Sequence, residues 1–321
     1  MRAHDGFDAD TWARMAEAGW LSARVPEAQG GLGLGTADAA AIMVEAGRAG
    51  AADPLITGCF VPSAILSQLS TSAASQALAA FAEGGPPFAL ALQDKPLDLR
   101  DEMLSFDILG AGENVLFLAQ VNGALSIRMM KRPKGCPAPL ADGTPLDSCA
   151  VDAGALRQAR SLGDGPSCSE QWAAGMREGA MLVSAQMTGC AAALLDLTTE
   201  HCRQRVQFGQ PIAGFQVVRH RIVDMQIALQ LALTSCADAL AASEDGAGAS
   251  LATHAAKARC SAAAMEIARA AIQLHGAIGF TEESRTATLI RQAMSFSSMF
   301  GSAAFHRAQA ARLMDKAGQV A

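Results

Sequence analysis

The feature that most constrains this chain is its second half, which carries four long alanine-rich segments at residues 170–204, 215–243, 249–275 and 285–317. Each is apolar on one face, and breaks at 209–214, 245–248 and 276–279 separate them. Segments of this kind, about 25 to 35 residues long and joined by short turns, bury their apolar stripes against one another as antiparallel neighbours. The expectation for residues 169–321 is a four-helix bundle.

The first half reads differently. Residues 7–20 place Phe7, Trp12, Met15, Ala16 and Trp20 near one helical stripe, with Asp8 and Asp10 at the acid-favouring end. A glycine-rich loop with Gly30, Gly31, Gly33 and Gly35 follows. Its spacing and its helical approach exclude a dinucleotide fingerprint, which needs G-x-G-x-x-G after a strand. Helices are expected over 36–50 and 60–83, ending at Gly84-Gly85-Pro86-Pro87, so residues 1–87 form a helical domain. Residues 88–168 switch to short apolar or alternating runs, with Asn122-Gly123 as a hairpin turn between two of them. The proline-bearing stretch 132–152 reads mostly as loop. The middle is a small β region, and the fold class is mainly α.

Composition excludes several functions. The net charge is −6 and the 25 Lys and Arg are scattered, which argues against nucleic acid. The N-terminus lacks an apolar leader core and no run of about 18 uninterrupted apolar residues appears, so the expectations are no membrane span and a cytoplasmic location. Eight cysteines show no C-x-x-C pair and no histidine at ligand spacing, so they read as free thiols and not as a metal site.

The most specific stretch is 205–225, RVQFGQPIAGFQVVRHRIVDM, a helix stop, a turn and a helix start in one. Arg205 is a fixed cation beside Gln207, Phe208 and Gly209, the chemistry that one wall of a phosphate-bearing planar cofactor needs. An arginine forming an ordinary salt bridge in a helical hairpin is the plainer alternative. About one bundle helix later comes Gln273-Leu274-His275-Gly276-Ala277-Ile278-Gly279-Phe280, whose Gly276 could equally be a helix C-cap.

With Pro26-Glu27 and Gly30-Gly31 in the first domain, these motifs make the chain resemble the acyl-CoA dehydrogenase family over nearly its whole length. The resemblance implies an N-terminal helical domain, a middle β domain and a C-terminal four-helix bundle. It also implies FAD, an acyl-CoA thioester substrate and α,β-desaturation. By the family's R-x-x-F-G and Q-x-x-G-x-x-G motifs, Arg205, Gln207, Phe208, Gln273, Gly276 and Gly279 bind the ADP half of FAD across a subunit interface.

Two family features are missing. The segments that hold the isoalloxazine ring are absent, and residues 88–164 contain no tryptophan. The desaturation also needs a carboxylate to remove the α proton. Counting from Arg291, the usual base position falls on Phe300, which cannot take a proton. The family's other base position, on the first bundle helix, falls on Gly179, beside Glu178. Glu178 is therefore the candidate base or else a capping carboxylate near a helix start. Glu282 and Glu283 read as first-turn acids, and His220 and His306 as surface or interhelical groups.

The pattern resembles the shorter subunit of heteromeric bacterial acyl-CoA dehydrogenases of the steroid side-chain type, which completes the ADP side of a site in a longer partner. The alternatives are a homo-oligomeric dehydrogenase that uses Glu178 and a non-catalytic FAD- or CoA-binding scaffold.

Overall fold

The computed structural model describes residues 8–51, 54–245, 248–276, 279, 281 and 284–318. By internal contacts the chain divides into two compact units, one of Met1–Gly35 with Ala52–Gly179 and one of Thr36–Ala51 with Ala180–Ala321.

In the first unit, helix α1 (Ala9–Glu17) starts where Asp8 caps the Asp10 N–H at 3.1 Å. It buries Trp12, whose indole N–H donates to Gly85 O at 3.1 Å. The helix is shorter than its periodicity suggests: the Trp20 N–H folds back to Met15 O at 2.9 Å, and the Trp20 side chain is left half-exposed. The glycine-rich loop is no phosphate cradle. Its N–H groups on Gly30, Gly31, Leu32, Gly33 and Leu34 are spent on Glu27, Pro26, Ser22, Val25 and Ala23 carbonyls.

In the second unit, α2 (Thr36–Ala49) stands among the bundle helices, although its place in the chain grouped it with the N-terminal helices. The apolar helical segments expected over 60–83, in the first unit again, are α3 (Val61–Leu66), entered through a π turn at Ile56–Phe60, and α4 (Ser72–Ala82). Thr71 caps α4 by accepting the Ala74 N–H at 3.1 Å.

The β region is an eight-stranded sheet built from β1 (Phe88–Leu92), β2 (Leu97–Asp98), β3 (Met103–Leu109), β4 (Asn114–Val121), β5 (Ala124–Lys131), β6 (Cys136–Pro137), β7 (Leu146–Asp152) and β8 (Arg160–Asp164). Its order is β6-β7-β3-β1-β4-β5-β8, with β2 beside β4. The β4–β5 hairpin turns at Asn122-Gly123 as the dipeptide predicts, with φ of 50° and 86°. The loop expected over 132–152 is corrected: its last seven residues are β7, paired along the whole of β3. Prolines end at position 145, and Cys149 and Val151 alternate inward from there. One sheet face and the short helix α5 (Ala153–Gln158) enclose a core of Ala91, Ile108, Val115, Phe117, Ala153 and Leu156. On the other face, Phe88 meets Phe81, which meets Trp12.

Helix α6 (Ser167–Gln204) is followed by a ribbon of β9 (Val206–Gln207) and β10 (Gln210–Pro211), then α7 (Gln216–Asp245), α8 (Ala249–His275), α9 (Arg285–Ser298) and α10 (Ala303–Gly318). The fourth long segment of the sequence is thus two helices, broken at 299–302. Within the second unit α8 packs on α7, α9 and α10. Helices α2 and α6 approach backbone to backbone: a Cβ at Gly47 would collide with Gln186 O, and one at Gly189 with Val44 O. Both α6 and α7 contain windows long and apolar enough to cross a membrane, but the α6 window is 89% buried in the protein. The α7 window is only 33% buried, and Val223, Ile227 and Leu231 leave an apolar stripe on its surface.

Candidate functional site

Arg205 follows α6 directly, its N–H still donating to His201 O at 2.9 Å. The chain then turns back on itself, with Gln207 opposite Gln210 and Val206 opposite Pro211. The turn places Phe208 at φ 51° and Gly209 at φ 79°, a primed turn that glycine accepts freely and phenylalanine does not. Phe208 is therefore held outward, 93% exposed, with Phe215 edge-on to it at 6.1 Å between ring centres. Arg219 braces the return by donating to Ala213 O and Gly214 O at 3.0 and 2.9 Å. Gln207 folds onto its own neighbour, donating to Val206 O at 2.8 Å. Among the described residues the Arg205 side chain has no hydrogen-bond or ion-pair partner, and it is exposed.

The second motif lies at the end of α8. Gln273 is exposed, and Gly276 ends the helix at φ 62°, its N–H on Ile272 O. Among the described residues nothing lies within 4 Å of the Gly276 Cβ position, although its N–H is already spent. Gly279 is buried against His275. Ala277, Ile278, Phe280, Glu282 and Glu283 lie outside the described residues.

Contact between the two motifs runs through a pair that the sequence reading passed over. His201, one helical turn before Arg205, stacks on His275 at 4.4 Å with the rings inclined by 21°. The Nε2 atom of His275 is buried without a hydrogen-bond partner among the described residues. Burial pushes the His275 ring down to about 4, with His201 adding to the effect. Burial, and then the Arg205 charge, lowers His201 as well. Both rings are neutral near pH 7. The signal was available: His201 is spaced i−4 from Arg205, and His275 sits inside the glutamine–glycine motif.

Gln273 also faces a groove of about 580 Å3 between α7 and α8, together with Arg221, Glu266 and Arg269. None of these three charged groups has an ion-pair partner among the described residues. A diphosphate-bearing ligand fits this end of the molecule on two counts: a free guanidinium and an imidazole nitrogen that is unspent among the described residues.

Glu178 stands in a different setting. Arg24 donates Nε–H to its Oε1 at 2.7 Å and Nη2–H to its Oε2 at 2.8 Å, and a third donor of Arg24 reaches Leu34 O. The two side chains are 17% and 11% exposed. Both carboxylate oxygens are thus engaged by a forked cation.

Phe300, at the usual base position, lies in the turn between α9 and α10 at φ 55°. The turn is held from two sides. Lys257, fully buried on α8, donates to Ser261 Oγ and to the carbonyls of Phe296, Ser297 and Gly301 at 3.0 to 3.2 Å, and burial lowers its ammonium to about 8. The His306 Nε2–H donates to Phe300 O at 2.9 Å. Its Nδ1 must then accept, so the 2.8 Å contact with His254 carries the proton on the His254 Nδ1. His306 is therefore one of the interhelical groups anticipated. Seven of the eight cysteines are buried free thiols, Cys136 is exposed, and no metal cluster exists among the described residues.

Comparisons with known proteins agree with this architecture. The family profile described as Acyl-CoA dehydrogenase, N-terminal domain, matches residues 1–84, and that described as Acyl-CoA dehydrogenase, C-terminal domain, matches residues 170–314. The chain is 31% identical over 286 residues to the acyl-CoA dehydrogenase IpdE2 of Mycobacterium tuberculosis (strain ATCC 25618 / H37Rv), covering 88% of this chain and 80% of that one. Among solved structures, the Tcur3481-Tcur3483 steroid ACAD G363A variant aligns at TM-score 0.83 and 19% identity, covering 99% of this chain and 91% of its own. The ChsE4-ChsE5 complex from Mycobacterium tuberculosis aligns at TM-score 0.82 and 18% identity, covering 98% and 90%. At these identities the two structures speak for the fold.

Proposed function

From the premise that this chain belongs to the acyl-CoA dehydrogenase family of FAD-dependent oxidoreductases, we propose that it is the shorter subunit of a heteromeric acyl-CoA dehydrogenase. It supplies the ADP-side wall of an FAD site whose ring contacts and catalytic base come from a longer partner of the same fold. The observation that carries this reading is the bidentate Arg24–Glu178 pair. A base must be free to turn toward the substrate's α proton, and a carboxylate held on both oxygens by one guanidinium is fixed in orientation toward Arg24. With Phe300 at the other base position, neither candidate site offers a proton acceptor, while Arg205 and Phe208 face outward. The same observation counts against a self-sufficient enzyme based on Glu178.

In this reading Arg205 holds the diphosphate, Gln273 and Gln207 hydrogen-bond the nucleotide side, Phe208 offers a face to the planar group, and Gly276, its N–H spent on Ile272 O, ends the helix beside them. The flavin supplies hydride acceptance, and this chain binds and orients it. The apolar stripe of α7, flanked by unspent Arg221, Asp224, Glu266 and Arg269, supports a partner bundle docking there. A CoA thioester of a steroid-type acyl group is the proposed substrate, a reading supported by the name of one structural neighbour, a steroid ACAD.

Purifying the chain alone and together with its longer partner tests this. The expected result is little flavin and no turnover alone, with both regained in the complex. Stoichiometric FAD and dehydrogenation by the lone chain would overturn it.

A further inference from the structure

The His201–His275 stack enters the wall described so far only through one unspent ring nitrogen, yet its position gives the pair a larger part. His201 precedes Arg205 by one helical turn, and His275 lies between Gln273 and Gly276, so the pair sits between the two halves of the wall. A buried ring nitrogen without a partner is costly to keep, and among the described residues His275 Nε2 is such an atom. Among the described residues, the charged or titratable groups acting on this pair are Arg205 and the two rings themselves.

We propose that the His201–His275 pair is a proton-linked second cation of the diphosphate site: an anion arriving at Arg205 draws one proton from solvent onto the pair. The inference rests on the reading of Arg205 as a diphosphate ligand. The electrostatics follow from the geometry. Without a ligand, burial and the uncompensated guanidinium both oppose charge on the rings, and each ring's ordinary value is lowered. A diphosphate at Arg205 offsets that guanidinium and adds negative charge of its own, so the sign of the field at His201 reverses. One proton then binds a free imidazole nitrogen, forming an N–H bond and an imidazolium beside the anion. A second proton is disfavoured, because two imidazolium rings at 4.4 Å repel one another in a half-buried setting. The consequence is linkage: the anion binds more tightly as pH falls, by roughly tenfold for each unit by which it raises the pair's titration midpoint.

The test uses the full chain with histidine rings labelled with 15N and inorganic diphosphate as the probe, with binding followed separately through the 31P signal. The expected result is a titration midpoint for one ring of the pair at least one unit higher with saturating diphosphate than without it. The rise should vanish in Arg205→Gln. In His275→Gln, diphosphate affinity should keep only the pH dependence of the ligand's own protonation. Should diphosphate bind while the ring titrations stay unmoved, or should His275→Gln retain the full wild-type pH dependence, the linkage is wrong and the Arg205 reading survives. Absence of binding at every pH overturns both.

Discussion

Arg24 grips Glu178 with two parallel hydrogen bonds of 2.7 and 2.8 Å, in a setting where both side chains are largely buried. The pair ties the segment after α1 to the start of α6, and the same guanidinium reaches the glycine-rich loop at Leu34 O. Its chemistry is that of a structural clamp. Removing one partner leaves an uncompensated charge in a poorly solvated place. Glu178→Gln should therefore lower unfolding stability by about 2 kcal/mol, allowing for the partial exposure of the pair. In the assembled enzyme it should leave turnover within about twofold, whereas loss of a proton-abstracting base costs about 100-fold or more. Denaturant titration and steady-state kinetics on the same preparation separate the two roles.

The α2–α6 crossing depends on two glycines that face each other's backbones. Neither Gly47→Ala nor Gly189→Ala can be accommodated by side-chain rotation, since the obstructing atoms are the carbonyls of Gln186 and Val44. Each substitution should destabilise the protein by about 3 kcal/mol, read as a lower denaturation midpoint at unchanged slope.

Acid should unfold this protein through its buried histidines. His306 is 2% exposed, and burial holds its ring down to about 4, against an ordinary 6.5. The unfolded chain takes up this proton near pH 6.5 and the folded chain refuses it until about pH 4, so stability falls as pH drops through that window. The contribution is about 3 kcal/mol for His306, and His275 acts in the same direction. His306→Gln keeps an N–H for Phe300 O and should flatten this acid limb, measured by thermal melts across the same window.

On α7, Val223, Ile227 and Leu231 are 53%, 54% and 47% exposed, at a spacing that puts them on one stripe. Ile227→Asp should dissociate the complex with the longer partner and leave the fold of the isolated chain intact. Sedimentation velocity of the mixed subunits, beside circular dichroism of the variant alone, checks both halves.

Much of this was legible in the chain. The long bundle segments carry a helical period that only mutual packing satisfies, and Asn122-Gly123 dictates its own turn. The exposed Arg205 and Phe208 follow from the turn at Gly209, which periodicity marks as a break. Other elements escaped for physical reasons. The β7 strand hides behind prolines that lie before it and not within it. The break at 299–302 is held by Lys257 and His306, whose partners are backbone carbonyls distant in sequence or fixed by the turn itself. No local pattern shows that α2 groups with the bundle, because backbone approach at two glycines is a tertiary matter. Arg24 as the partner of Glu178 lies 154 positions away, and only the fold could name it.

The central claim is that Arg205 serves a flavin held by a neighbouring chain. Arg205 makes no side-chain bond with any described residue of its own chain, so Arg205→Gln should leave the stability of the isolated subunit within about 0.5 kcal/mol. The decisive measurement is the dissociation constant of FAD from the complex of this variant with a wild-type longer partner. Loss of a forked, charge-assisted contact to a phosphate should weaken binding by about 10- to 100-fold. FAD affinity equal to that of the wild-type complex would contradict the account.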